Sequence, residues 1–299
     1  MPNVYQIPFK FHVGLTGRFL SLVILAINCV SVYAQTDQSS EKLTIVVIPV
    51  CLKEAGDVRN RLCIGVAEFL TERLRNTEAL HIVPQVDVAE AMTKAKLKYY
   101  DTGDLKEVVK VLPDHDLFIL VGPLRNAGWF AYSVCRRSDF KGQGGAILFE
   151  ETKALREKGF AEYLYANVDV GCSRPICKSI IEYINSEIDE SYKGRSHVNE
   201  PMDQENNLTG SIAISAVMGI SSILLNMAEN VPEKNYREAT ECLEKAVKEK
   251  PIAHLRYWLA LSLLRGGEQE KAKEMASEIL KHPINDELKK LVLQIRDVK

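Results

Sequence analysis

The sequence predicts an α/β domain built on a mixed sheet, followed by an all-α domain of repeated helices. Two patterns carry this expectation. Leu43–Val50, LTIVVIPV, is an unbroken apolar run of strand length, and a helix-length amphipathic segment and a second short apolar run, Leu80–Val83, follow it. That order reads as strand–helix–strand, with the first strand buried on both faces. Towards the carboxyl end, small and apolar residues recur at an offset of 33 positions, the mark of stacked helical pairs. A chain of 299 residues has room for two cores.

Residues 1–34 read as a secretory signal peptide. Lys10 and Arg18 supply the positive region and Phe19–Ala34 the apolar one. Val32-Tyr33-Ala34 fits the small-residue cleavage rule, which makes Gln35 the new first residue. The alternative is an uncleaved membrane anchor, for which the apolar stretch is short. Lipidation at Cys29 is disfavoured, because Asn28 is polar where a small residue is wanted. The expected location is periplasmic or otherwise exported, the alternative being a chain anchored by its amino-terminal segment. The net charge of −2 becomes about −4 without the leader. A mildly acidic chain of mixed signs lacks the basic footprint of a nucleic-acid binder. Export also places Cys51, Cys63, Cys135, Cys172, Cys177 and Cys242 in an oxidising compartment, with more full pairings open than the sequence can choose among.

The α/β domain is expected over residues 41–190. After the first strand, Asp57 is placed to cap a helix whose apolar stripe is Val58, Leu62, Val66, Leu70 and Leu74. Gly65 inside that helix costs about 1 kcal/mol relative to alanine, so close packing against the sheet is its expected reason. Asp87 and Glu90 form a capping-box pattern for a helix to about Lys96. Asp104 and Glu107 repeat it before Val108, Val109 and Leu112, and Pro113 stops that helix. Leu117–Val121 and Trp129–Val134 read as strands separated by the Asn126–Gly128 turn. The Lys141–Gly145 turn then leads to Ala146–Phe149 as a further strand, so antiparallel pairing is expected. Ser173 and Pro175 start a last helix with Ile176, Ile180, Ile184 and Ile188 on one face. The sum is a mixed sheet of about five strands.

This order resembles the TolB amino-terminal-like domain, a fold shared with the curli secretion pore family and with lipoprotein activators of peptidoglycan synthases. The residues that carry the likeness are Ile45–Pro49, Gly65, Leu70, Leu74, Ile82-Val83, Asp116, Gly122 and the Trp129–Val134 strand. Val50 stands where the family usually has phenylalanine. The resemblance covers about half the chain. It implies an envelope domain that works by contact with other proteins, and it brings no catalytic residues.

Residues 191–208 are polar and read as a solvated linker. Asn207-Leu208-Thr209 fits the glycosylation acceptor pattern, which also arises by chance. The all-α domain is expected over 209–299. It opens with the uncharged stretch Gly210–Ala228, which is long enough to cross a membrane but diluted by serines and Gly219. A buried helix of the array is the favoured reading. Ala239, Leu243, Ala246 and Pro251 then answer to Ala272, Ala276, Ile279 and Pro283, with Tyr257, Leu261 and Leu264 on the helix between. This resembles the tetratricopeptide (TPR) repeat, and Leu288, Leu291, Val292 and Ile295 fit a closing helix. Such a TPR-like array, by that resemblance, binds peptides or partner domains along its concave face.

Candidate chemistry is sparse. Cys172 and Cys177, in GCSRPIC, are the candidate local disulfide. Four intervening residues suit neither a redox-active pair nor, with no nearby histidine, a zinc site. Asp114-His115-Asp116 could suggest a metal cluster, but a helix-to-strand connection favours such residues as turn formers. Lys141–Gly145 lacks the Gly-Lys-Ser/Thr of a phosphate loop. The functional expectation is an exported, non-enzymatic adaptor or accessory protein of the cell envelope, without cofactor or metal, whose partners are envelope proteins or peptides. A subunit of an envelope secretion channel is the first alternative, and a thiol or hydrolytic enzyme the second.

Overall fold

The computed structural model describes residues 4–9, 42–51, 56–77, 80–97, 105–123, 129–138, 140, 142–149, 165–188, 198, 207–229 and 233–298. The apolar part of the leader with its cleavage point, Asp104, the Asn126–Gly128 turn and most of the linker lie outside these residues, as do the side chains of Asp57 and Val58.

The central apolar run forms strand β2, Leu43–Pro49, after a short strand β1, Val4–Phe9. Strands β3 (Leu80–Ile82), β4 (Leu117–Pro123), β5 (Trp129–Arg136) and β6 (Gly142–Phe149) complete a sheet of order β1-β6-β5-β4-β2-β3. β2 lies between β3 and β4 and is parallel to both, while β4, β5, β6 and β1 pair antiparallel. The sheet is therefore mixed, as its apolar runs and tight turns predict. β1 falls in the stretch read as a leader, and cleavage after Ala34 would leave β6 at the edge.

Helix α1, Gly56–Arg75, buries Leu62, Val66, Leu70 and Leu74 as the spacing requires. Helix α2, Gln85–Lys94, starts ahead of the expected box. Pro84 stands at its N-cap and Asp87 is already in the first turn, with no side-chain cap. The reason lies in Gln85, whose buried amide donates to the Val47 carbonyl and to Thr71 Oγ1, at 2.8 and 3.1 Å. That contact draws the first turn onto the sheet. Helix α3, Leu105–Val111, follows the pattern and ends before Pro113.

The glycine-rich stretch behaves differently from its reading as a turn. Gly142–Gly145 lie within β6, and the reversal comes earlier, at Arg137–Ser138 and Phe140, whose φ is +57°. A Cβ at Gly142 would fall 1.7 Å from the Val134 carbonyl oxygen, and one at Gly145 would fall 2.7 Å from Tyr132 Oη. The glycines thus allow β5 and β6 to approach rather than letting the chain turn.

Helix α4, Arg174–Tyr183, continues a wide turn at Val168–Ser173 and buries Ile176 and Ile180. The described residues from Gly210 onward form the helices α5 (Gly210–Glu229), α6 (Arg237–Glu249), α7 (Ala253–Arg265), α8 (Gln269–Ile279) and α9 (Asp286–Arg296). Each packs on the next, and the small residues Ala239, Ala246, Ala272 and Ala276 are fully buried.

No solvent layer separates the helices from the sheet part. α5 packs on α1 and α2 as well as on α6, and buried side chains from Leu43 to Ile295 form one cluster. Gly65 accordingly faces α5 and not the sheet: a Cβ there would sit 3.0 Å from Val217 Cγ2. Arg61 adds polar contact along the same seam, donating to Ser222 Oγ at 2.6 Å. α5 is long and apolar enough to cross a membrane, yet 67% of its most apolar window is buried inside the protein.

Candidate functional site

Among the described residues, the seam between α1 and the helical array gathers several buried polar groups. On α1, Glu68, Glu72 and Arg75 follow one another at helical spacing and share a face. Glu68 is 1% exposed. Its Oε1 accepts from His254 Nε2 at 2.7 Å and from Trp258 Nε1 at 2.9 Å, both on α7. His254 and Trp258 are one turn apart and both buried. The Phe69 ring meets the imidazole edge-on, with centroids 6.4 Å apart. Burial alone would lower the pKa of His254, but the carboxylates of Glu72 and Glu68 outweigh it and hold the imidazole above its ordinary value.

The same face continues to α9. Arg75 pairs with Glu72 at 2.5 Å and lies 3.7 Å from Glu287 Oε2. Glu287 also accepts from His81 of β3 at 2.6 Å. Buried Tyr257 is pushed far up by burial and by Glu68, so it stays a neutral phenol. α5, α7 and α9 all touch α1: α5 through Gly65 and Arg61, α7 through His254 and Trp258, α9 through Glu287 and Asn285.

Beside this network a cleft of about 440 Å³ opens at one end of the seam. α1 lends Phe69, Glu72 and Arg73, and Asn76 follows it; the segment before α5 lends Asn207 and Leu208; the α6–α7 and α8–α9 connections lend Ile252, Ile284 and Asn285, and the start of α7 lends His254. Arg73 Nε donates to buried Asp169 at 2.9 Å, and its Nη2 to Asn207 Oδ1 at 2.8 Å. The second Asp169 oxygen accepts the Leu208 N–H at 2.8 Å. One carboxylate therefore fastens the chain entering α5 to α1. Lys250 reaches the Asn207 carbonyl at 2.7 Å. Asn285 caps α9 by accepting the Leu288 N–H at 2.8 Å and donates to Asn76 Oδ1 at 3.1 Å. Replacing Asn285 with alanine removes both bonds. The expected loss is about 1 kcal/mol, read as a lower urea midpoint at unchanged slope.

The residues singled out from sequence fall elsewhere. Cys172 and Cys177, the candidate disulfide, are both buried and, like the other described cysteines, are not joined in this structure. Asp114 is exposed and pairs with Arg137 at 2.7 Å, which lowers its pKa. His115 is buried, donates to the Pro113 carbonyl at 2.6 Å, and is held below its ordinary value by burial. Asp116 Oδ2 accepts the Thr44 N–H at 2.8 Å and so stitches β2 to β4. These three residues serve the connection itself.

Sequence reasoning did not find Glu68, Arg75, His254, Trp258, Arg73 or Asp169 as a group. The i, i+4 and i+7 polar stripe on α1 and the His254–Trp258 pair are visible in the sequence. Their meeting is not, because 186 residues separate Glu68 from His254. No family model, curated protein or solved structure matches the chain.

Proposed function

We propose that this chain is an exported, non-enzymatic adaptor or accessory protein of the cell envelope, holding an extended segment of a partner protein in the cleft between α1 and the helical array. The reading takes α5 and α6, then α7 and α8, as TPR-like pairs closed by α9. On that assignment α5, α7 and α9 are the helices that would line the concave face, and α1 of the same chain already covers it. A partner then meets what is left open at the end of the seam.

The observation that supports this most is the make-up of the cleft. The half-buried amides of Asn76, Asn207 and Asn285 and the Arg73 guanidinium stand around an apolar floor of Ile252, Ile284 and Leu288. Amides and guanidinium groups match the donors and acceptors of a peptide backbone, and the floor accepts its side chains. The envelope location rests on the leader-like residues 1–34.

The test places a photo-crosslinking residue at Ile284 in the cleft and, as control, at exposed Lys178 on α4, in the full chain. After irradiation in envelope extract, a discrete adduct is expected from position 284 and not from 178. Equal adduct patterns at both positions, or none at either, would sink the proposal. One observation favours a hydrolytic reading instead: Glu68 orients an imidazole that borders the cleft, as an acid orients a general base. Screening ester and peptide substrates against the chain and its His254→Gln variant separates the two, since only the hydrolytic reading expects turnover lost with the imidazole.

A further inference from the structure

Two buried thiols away from the cleft meet across the first strand-to-helix connection. Cys51 follows β2 by two residues, and its thiol donates to the Asn60 carbonyl of α1 at 3.8 Å. A helix carbonyl points along the axis towards the next turn, so a sulfur held there stands level with Cys63, three residues on. Cys51 and Cys172 are both near enough to the Cys63 thiol to act on it, Cys51 the more strongly. Cys51 and Cys63 are both fully buried.

We propose that Cys51 and Cys63 are joined in a disulfide as the chain folds, pinning the end of β2 to α1. The step is thiol–disulfide exchange with a small-molecule or protein disulfide. One cysteine thiolate attacks the donor S–S bond and expels the first donor thiol. The second cysteine thiolate attacks the mixed disulfide and expels the other. The two protein thiols lose two protons and two electrons, and the donor disulfide is reduced to two thiols. Exchange precedes closure of the core, because burial in the folded protein pushes the Cys63 thiol well above its ordinary range and leaves little thiolate. The proposal rests on the export reading only for the source of oxidant in the cell.

The deciding experiment therefore supplies its own donor. The full chain, denatured and reduced, is refolded with excess oxidised over reduced glutathione, alkylated, and digested with trypsin without reduction. Cys51 lies in the peptide Leu43–Lys53, Cys63 in Leu62–Arg73, and Cys172 with Cys177 in Gly159–Lys178. The expected product joins the first two peptides, with alkylated Cys63 falling about tenfold against refolding under reductant. Undiminished recovery of alkylated Leu62–Arg73, or its recovery joined to Gly159–Lys178, overturns the proposal. The same map on protein taken from cells, with its mature amino terminus, tests export separately. A chain that forms the link on refolding, yet is reduced and uncut in the cell, keeps the disulfide and loses the export reading.

Discussion

Replacing Glu68 with alanine is expected to lower the unfolding free energy by about 3–5 kcal/mol, the cost of breaking a buried pair from one side. The variant leaves the Trp258 N–H without its carboxylate acceptor and removes the anion that holds His254. Both partners are on α7, so the loss falls on the seam between α1 and the array. Glu68→Gln keeps an acceptor for both donors, and its cost is expected to be smaller, about 1–2 kcal/mol. Urea unfolding of the two variants checks the order. A Glu68→Ala variant within about 0.5 kcal/mol of the parent, the range of ordinary surface changes, would show that the network does not hold the seam.

The network also sets a pH dependence. The folded state holds the His254 proton more tightly than an unfolded chain does, because the nearby carboxylates outweigh desolvation. A raised folded pKa stabilises the fold fully below the ordinary value of 6.5, and the contribution is lost as pH rises through the folded value. Parent stability should therefore decline across that window, and the decline should be absent in His254→Gln. Groups facing the imidazole come from α1 as Glu68, Glu72 and Arg75, so all three belong in the comparison.

Gly219→Val is the second large effect. A Cβ at Gly219 of α5 would stand 2.5 Å from Leu243 Cγ and 3.1 Å from the Ala239 carbonyl oxygen, both on α6. The side chain can shift but the carbonyl belongs to the helix, so the pair of helices must part. Overpacking of this kind costs about 1–3 kcal/mol, and a branched side chain belongs at the upper end. The double variant Gly219→Val with Leu243→Ala should recover part of the loss, because it vacates the nearer contact. Additive losses in thermal unfolding would count against a shared cause.

The elements were legible where the physics is local. Continuous Val- and Ile-rich runs became strands, and four-residue apolar spacing placed Leu62, Val66, Leu70 and Leu74 in the core. Local signals misled where a distant group decided. The Asp87–Glu90 pattern gave way because Gln85 found partners on β2 and α1. The glycines at 142–145 looked like a turn, but strand packing needed their missing side chains. Gly65 was rightly a close-approach glycine, yet the surface it approaches is α5, far along the chain.

By itself the sequence determined the succession of elements: a mixed sheet with its helices, then helices to the end. Periodicity and apolar runs encode these, because each depends on neighbours a few residues away. It also carried the leader-like segment and the alanine offsets behind the adaptor reading. Tertiary structure alone decided that α5, α7 and α9 close over α1, and so where a cleft is left. It also decided that Glu68 is met by His254 and Trp258, and that Cys51 lies against Cys63. Those facts follow from burying one shared apolar seam. Charged groups caught in the seam must then be paired across it, whatever their distance along the chain.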